Sequence, residues 1–163
     1  MKNWLKALPR RLLAFVVASL GGYLLAAAFS TQSVLSSLAD MGVTVTLGQR
    51  LAATAHDIAG MTGIFLPILA VGFLLAFLVT GLLMRWLDRW RTPLYVLAGG
   101  VAVLTVLLSL KASFGLMPIA GARTAAGLAS QCVAGAIAGY LFALISPRVT
   151  RGSIKHAVAV SFA

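Results

Sequence analysis

The chain has 163 residues, of which 61% are hydrophobic and 10% charged, with a mean hydropathy of +1.02 and a formal net charge of +10 at pH 7. This excludes an ordinary soluble domain, in which about half the residues are apolar and about a quarter charged. Thirteen Lys and Arg against three acidic residues would suggest nucleic acid in a soluble chain, but here four stretches, 12–39, 58–84, 92–110 and 124–147, contain no Asp, Glu, Lys or Arg.

A helix crosses ~30 Å of hydrocarbon with ~20 residues, so each stretch is long enough for one transmembrane helix. The expected fold is all-α: a polytopic four-helix membrane bundle forming one domain over 1–163, with spans at about 12–30, 61–84, 94–110 and 124–146. In the first span, Lys2, Lys6, Arg10 and Arg11 precede an apolar run ending in Ala26-Ala27-Ala28, a pattern shared with signal peptides. The run is longer than a typical signal h-region, so an uncleaved anchor is expected. Residues 2–9 put Trp4, Leu5 and Leu8 opposite Lys2 and Lys6, which suits either a short interfacial helix before Pro9 or an unstructured basic tail. Ala14, Ala18, Gly22, Ala26 and Ser30 recur every four residues, a small-residue face that lets helix backbones approach closely in lipid.

The loop 31–60 is the longest outside the spans. Val34, Leu35 and Leu38 are expected in a short surface helix, and 43–47 in an extended linker. Thr46-Leu47-Gly48-Gln49 fits a capping box, and Leu51, Ala55 and Ile58 follow at helical spacing, so a helix starts there and either runs into the second span or bends at Gly60. The second span has a shorter small-residue row, Gly72, Ala76 and Thr80, and Pro67 predicts a kink in its outer third. The hairpin 85–93 carries Arg85, Asp88, Arg89 and Arg91; Asp88 stands three residues from both Arg85 and Arg91, a spacing that allows ion pairs on a helix. The third span has only Ala98 with Ala102 and the Gly99-Gly100 pair, and is expected to be peripheral and lipid-facing.

In the loop 111–123, Gly115, Pro118 and Gly121 preclude continuation of the third helix, and its apolar residues predict a dip back toward the bundle. The fourth span carries the fullest row: Arg123, Gly127, Gln131, Gly135, Gly139 and Ala143. Gln131 is the strongly polar side chain in mid-membrane and reads as interhelical glue. Cys132, the single cysteine, reads as a small buried apolar residue. The likeness of Gly22-Tyr23-Leu24 to Gly139-Tyr140-Leu141 joins spans of opposite direction and is coincidental.

Ten basic residues (Lys2, Lys6, Arg10, Arg11, Arg85, Arg89, Arg91, Arg148, Arg151 and Lys155) fall on one side of these spans and three (Arg50, Lys111 and Arg123) on the other. By the positive-inside rule both termini and the 85–93 hairpin are cytoplasmic, and the membrane is expected to be the bacterial inner membrane. Trp4, Trp86, Trp90 and Tyr95 then lie at the cytoplasmic headgroup level.

Chemistry is scarce. No Asp, Glu or His lies within the predicted spans, which argues against proton-coupled transport. His56 and His156 fall on opposite faces and cannot share one haem, and Asp40, His56 and Asp57 lack the spacing of a metal site. Ser33, Ser36, Ser37 and Ser113 have no nucleophile motif around them, and there is no glycine-rich phosphate loop. No catalytic residue, cofactor or metal is therefore expected.

The expected function is that of a non-catalytic accessory, assembly or stabilising subunit of a larger membrane complex or homo-oligomer. Its packing candidates are Ala14, Ala18, Gly22, Ala26, Gly127, Gln131, Gly135 and Gly139, taken as more small residues than a minimal bundle needs, so that Leu at 135 or 139 should disrupt assembly. The alternative is a binding or transport protein for a small or lipid-like anion, with Arg50, Lys111 and Arg123 near an outer mouth and Gln131 deeper. Arg85, Arg89 and Arg91 are candidate contacts for anionic lipid on the cytoplasmic side. Expected partners are membrane lipids and another membrane protein or a second copy, without nucleic acid.

Overall fold

The computed structural model describes residues 2–42, 44–84, 88–115 and 119–147. They form α1 (Lys2–Asp40), α2 (Leu47–Met61), α3 (Phe65–Leu83), α4 (Arg91–Phe114) and α5 (Ala125–Ile145), with 3-10 turns at Asp88–Trp90 and Ala120–Ala122. Four helices, α1 from Leu8 onward, α3, α4 and α5, are long and apolar enough to cross a membrane. The chain thus has the build of an integral membrane protein.

Several elements differ from expectation for local reasons. Helix α1 is 39 residues long and passes through Pro9. Val34, Leu35 and Leu38 belong to it and not to a separate surface helix, because no Gly or Pro interrupts residues 10–40 apart from Gly21 and Gly22. It stops where Gly42 takes a left-handed φ of 85° and donates its N–H to Ala39 O at 2.9 Å. Helix α2 starts at the expected capping box: Thr46 Oγ1 accepts from Gln49 N at 3.4 Å, and Gln49 Oε1 accepts from Thr46 N at 2.9 Å. Its break falls at Thr62–Ile64, beyond Gly60. Because α3 begins at Phe65, Pro67 lies in its first turn, where an N–H has no partner within the helix, and the kink predicted in the outer third of the span has no cause. Helix α4 ends at Gly115, left-handed at φ 72°.

Helix α5 sits between α1 and α4. Every residue of the α1 row Ala14, Ala18, Gly22, Ala26 and Ser30 is buried. A Cβ built on Gly22 would stand 2.8 Å from Ala138 Cβ and 2.9 Å from the Phe73 ring. On the other side of α5, Gly135 and Gly139 face α4: a Cβ on Gly99 would lie 2.9 Å from the Gly135 carbonyl carbon and 3.0 Å from Gly139 N. The third span is therefore tightly packed, contrary to the expectation of a peripheral helix. Two adjacent glycines suffice on α4 because α5 brings two of its own. The most exposed span is α3, whose buried face is the larger row Phe65, Leu69, Phe73 and Phe77, with Thr80. Its Gly72 and Ala76 are half-buried, Gly72 against Val106 of α4.

An aromatic cluster fills the space between α3, α4 and α5. Phe77 stacks on Phe142 at 4.4 Å and on Phe73 at 5.5 Å, and Tyr95 leans on Phe142 at 5.0 Å between ring centres. Tyr95 is thus a core residue and not a headgroup anchor. Cys132 is half-buried.

Candidate functional site

The Arg10 side chain reaches the carbonyl of Ile145, at the end of α5, and Ser30 abuts Gly121, in the turn before α5 begins. The stretch between them on α1 is about 20 residues, or ~30 Å, the thickness of a hydrocarbon core. Residues 31–40 of α1 then project ~15 Å further. Helix α2 lies alongside this projection, running back toward the bundle.

The contacts between α1 and α2 are polar. Arg50 Nη1 donates to Gln32 Oε1 at 3.0 Å, Gln32 Nε2 to Thr54 Oγ1 at 3.4 Å, and Thr31 Oγ1 to Asp57 Oδ2 at 2.7 Å. Nearer the bundle, the Tyr23 hydroxyl donates to the Ile58 carbonyl and pairs with Thr62 Oγ1 at 3.0 Å. The first three turns of α2 are therefore inverted in polarity: Arg50, Thr54 and Asp57 bond to α1, while Leu47 and Leu51 are 80% and 73% exposed, with Ala52, Ala55 and Ala59 exposed beside them; only at its end do Ile58 and Met61 pack against the core. The expected apolar series Leu51, Ala55 and Ile58 does not face the protein, except that Ile58 is half-buried.

Between α1, α2 and α5 at this end lies an open cleft of about 420 Å³, lined by Phe29, Gln32, Ser33, Ser36, Arg50, Ala126, Gly127 and Ser130. Of the three cations expected near an outer mouth, Arg50 lines it; Lys111, exposed on α4, and Arg123, exposed just before the Thr124 N-cap of α5, are not among its lining residues. In the segment leading into α5, Ile119 and Ala122 are buried.

Gln131 is fully buried and donates Nε2–H to the Ala26 carbonyl at 2.9 Å, bridging α5 to α1. Among the described residues its Oε1 has no hydrogen-bond partner, and neither has Ser19 Oγ.

At the opposite, basic end, guanidinium groups cap α5. Arg10 Nε donates to the Ile145 carbonyl at 3.1 Å, and Arg91 Nη2 donates to both the carbonyl and the hydroxyl of Ser146 at 2.6 Å. Arg91 also lies 5.9 Å from the centre of the Tyr95 ring. The last carbonyls of a helix lack partners within it and carry its negative pole, so cations from α1 and α4 stabilise that end. Arg91, expected at a lipid headgroup, is engaged here; the sequence signal for its role was Ser146-Pro147, which ends the helix and strands its carbonyls beside basic residues. Arg89 is exposed. Arg85, Trp86, Arg148, Arg151, Lys155 and His156, and the side chains of Lys2, Trp4, Lys6 and Asp88, lie outside the described residues.

Among the described residues no group of three or more His, Cys, Asp or Glu side chains could hold a metal ion, and His56 is exposed on α2. Comparison with protein-family models, curated proteins and solved structures finds no match to this chain.

Proposed function

We propose that the chain is a non-catalytic accessory or stabilising subunit of the bacterial inner membrane, with its basic end cytoplasmic and the α1–α2 projection outside. The orientation draws on the excess of basic residues at one end, where Arg89 remains exposed for anionic headgroups. The small-residue rows no longer support a partner, since the faces of Gly22, Gly99, Gly135 and Gly139 are covered within the chain.

The observation that carries the reading is the inverted polarity of α2. Two exposed leucines, level with or beyond the edge of the hydrocarbon, forgo ~1.5–3 kcal/mol each that burial would contribute. A contiguous apolar face in that position suits another membrane protein or a second copy of the chain. A photoreactive residue at position 51 should give one protein adduct of fixed mass in intact membranes. The same residue at position 97, an exposed site on α4, should label lipid. Adducts with lipid alone at both positions would overturn the proposal.

A further inference from the structure

The cleft beside Arg50 has a composition and a position that point to a ligand, independently of any protein partner. We propose that it binds the phosphate of an anionic lipid headgroup. Phe29, Gln32, Ser33 and Ser36 recur at three- and four-residue spacing on one face of α1; Arg50 stands on the α2 wall, and the first two turns of α5 form the third wall. Arg50 is the one charged residue among those lining the cleft, and no carboxylate is there to neutralise it.

The guanidinium is anchored. Gln32 Oε1 holds Nη1, and Thr54 in turn accepts from Gln32 Nε2, which leaves the remaining N–H groups of the fork for a second acceptor. A phosphate, with several acceptor oxygens, matches that fork bidentately. The hydroxyls of Ser36 and Ser130 already donate to the carbonyls of Ser33 and Gly127, at 2.9 and 2.7 Å, which leaves Arg50 and the Ser33 hydroxyl as the lining donors for an anion.

Depth selects the molecule. Ser30 marks the outer edge of the ~30 Å slab, so Phe29 lies at hydrocarbon level while Ser33, Ser36 and Arg50 lie in the headgroup zone. A ligand that is apolar below and anionic above fits this gradient, and about 420 Å³ falls within the range of small-molecule sites.

The test uses the full chain in mild detergent, with native mass spectrometry counting bound phosphatidylglycerol. Inorganic phosphate and glycerophosphoglycerol serve as soluble competitors. The wild type should retain one tight lipid that millimolar competitors do not displace. Arg50→Ala should weaken it about tenfold or more, the worth of a charge-assisted hydrogen bond, while Lys111→Ala, exposed on α4 and outside the lining of the cleft, should not. Because Arg50→Ala also removes the bond to Gln32, Ala126→Leu provides a second variant that fills the cleft and leaves that bond in place. It should weaken binding as well. Wild-type affinity in Ala126→Leu, or displacement of the lipid by inorganic phosphate alone, would overturn the proposal.

Discussion

Replacing Gly139 by Ala should destabilise the bundle through the α4–α5 contact. A Cβ at this position would collide with the Tyr95 carbonyl oxygen and stand 2.7 Å from its carbonyl carbon and 3.2 Å from Val96 Cα. Non-bonded carbons settle at ~3.5–4.0 Å, so the shortfall to the carbonyl carbon alone is about 1 Å, and all three obstructing atoms are main chain and cannot swing aside. The helices must separate locally, which strains the neighbouring Gly99–Gly135 approach and the 4.4 Å stack of Phe77 on Phe142. Overpacking of this kind costs about 1–3 kcal/mol, with the upper half expected here, and the better helix propensity of Ala offsets about 1 kcal/mol. The net expectation is a loss of about 1–2 kcal/mol. Gly60→Ala is the matched control: a Cβ there has nothing within 4 Å, so it should be neutral or gain up to about 1 kcal/mol. Unfolding in mixed micelles with increasing dodecyl sulfate, followed by far-UV circular dichroism, would measure both. Gly139→Ala as stable as Gly60→Ala would refute the reasoning. A larger side chain at 135 or 139 should likewise damage this chain's own fold before any assembly.

Two further outcomes follow from the polar contacts. Gln131→Leu should change stability by less than about 1 kcal/mol in the same assay, because it loses one interhelical hydrogen bond but also removes a buried acceptor without a partner; a loss above about 2 kcal/mol would mean that Oε1 has a partner in the membrane. Arg91→Ala should cost about 1–2 kcal/mol by uncapping α5, while Arg89→Ala, exposed two residues earlier, should cost little; equal midpoints for the two variants would count against the cap.

The spans and the α2 capping box were legible because both are local: a charge-free run long enough for the bilayer, and a hydroxyl three residues ahead of a glutamine. The burial of Ala14, Ala18, Gly22 and Ala26 was also legible, since four-residue spacing fixes a helix face. What covers that face was not. Gly99 looked weak when counted on its own helix, and only its position opposite Gly135 makes it a close contact. The polarity of α2 was hidden for the same reason: nothing within residues 47–61 shows that Arg50, Thr54 and Asp57 meet Gln32 and Thr31, about 20 residues earlier. Pro67 was misread through a boundary error of four residues, enough to move it from the second turn of the span into the first.

The central place of α5 also bears on biogenesis. It is the last of the described helices to be synthesised, yet it supplies the mating surface for both α1 and α4, and Arg10 meets a carbonyl 135 positions later in the chain. Before α5 enters the bilayer, the groove along Ala14, Ala18, Gly22 and Ala26 has no tenant, and the glycines of α4 face lipid. A nascent chain arrested before residue 125 would therefore be inserted but unlocked, open to quality-control proteases, and arrival of α5 would be the event that locks α1 and α4 together.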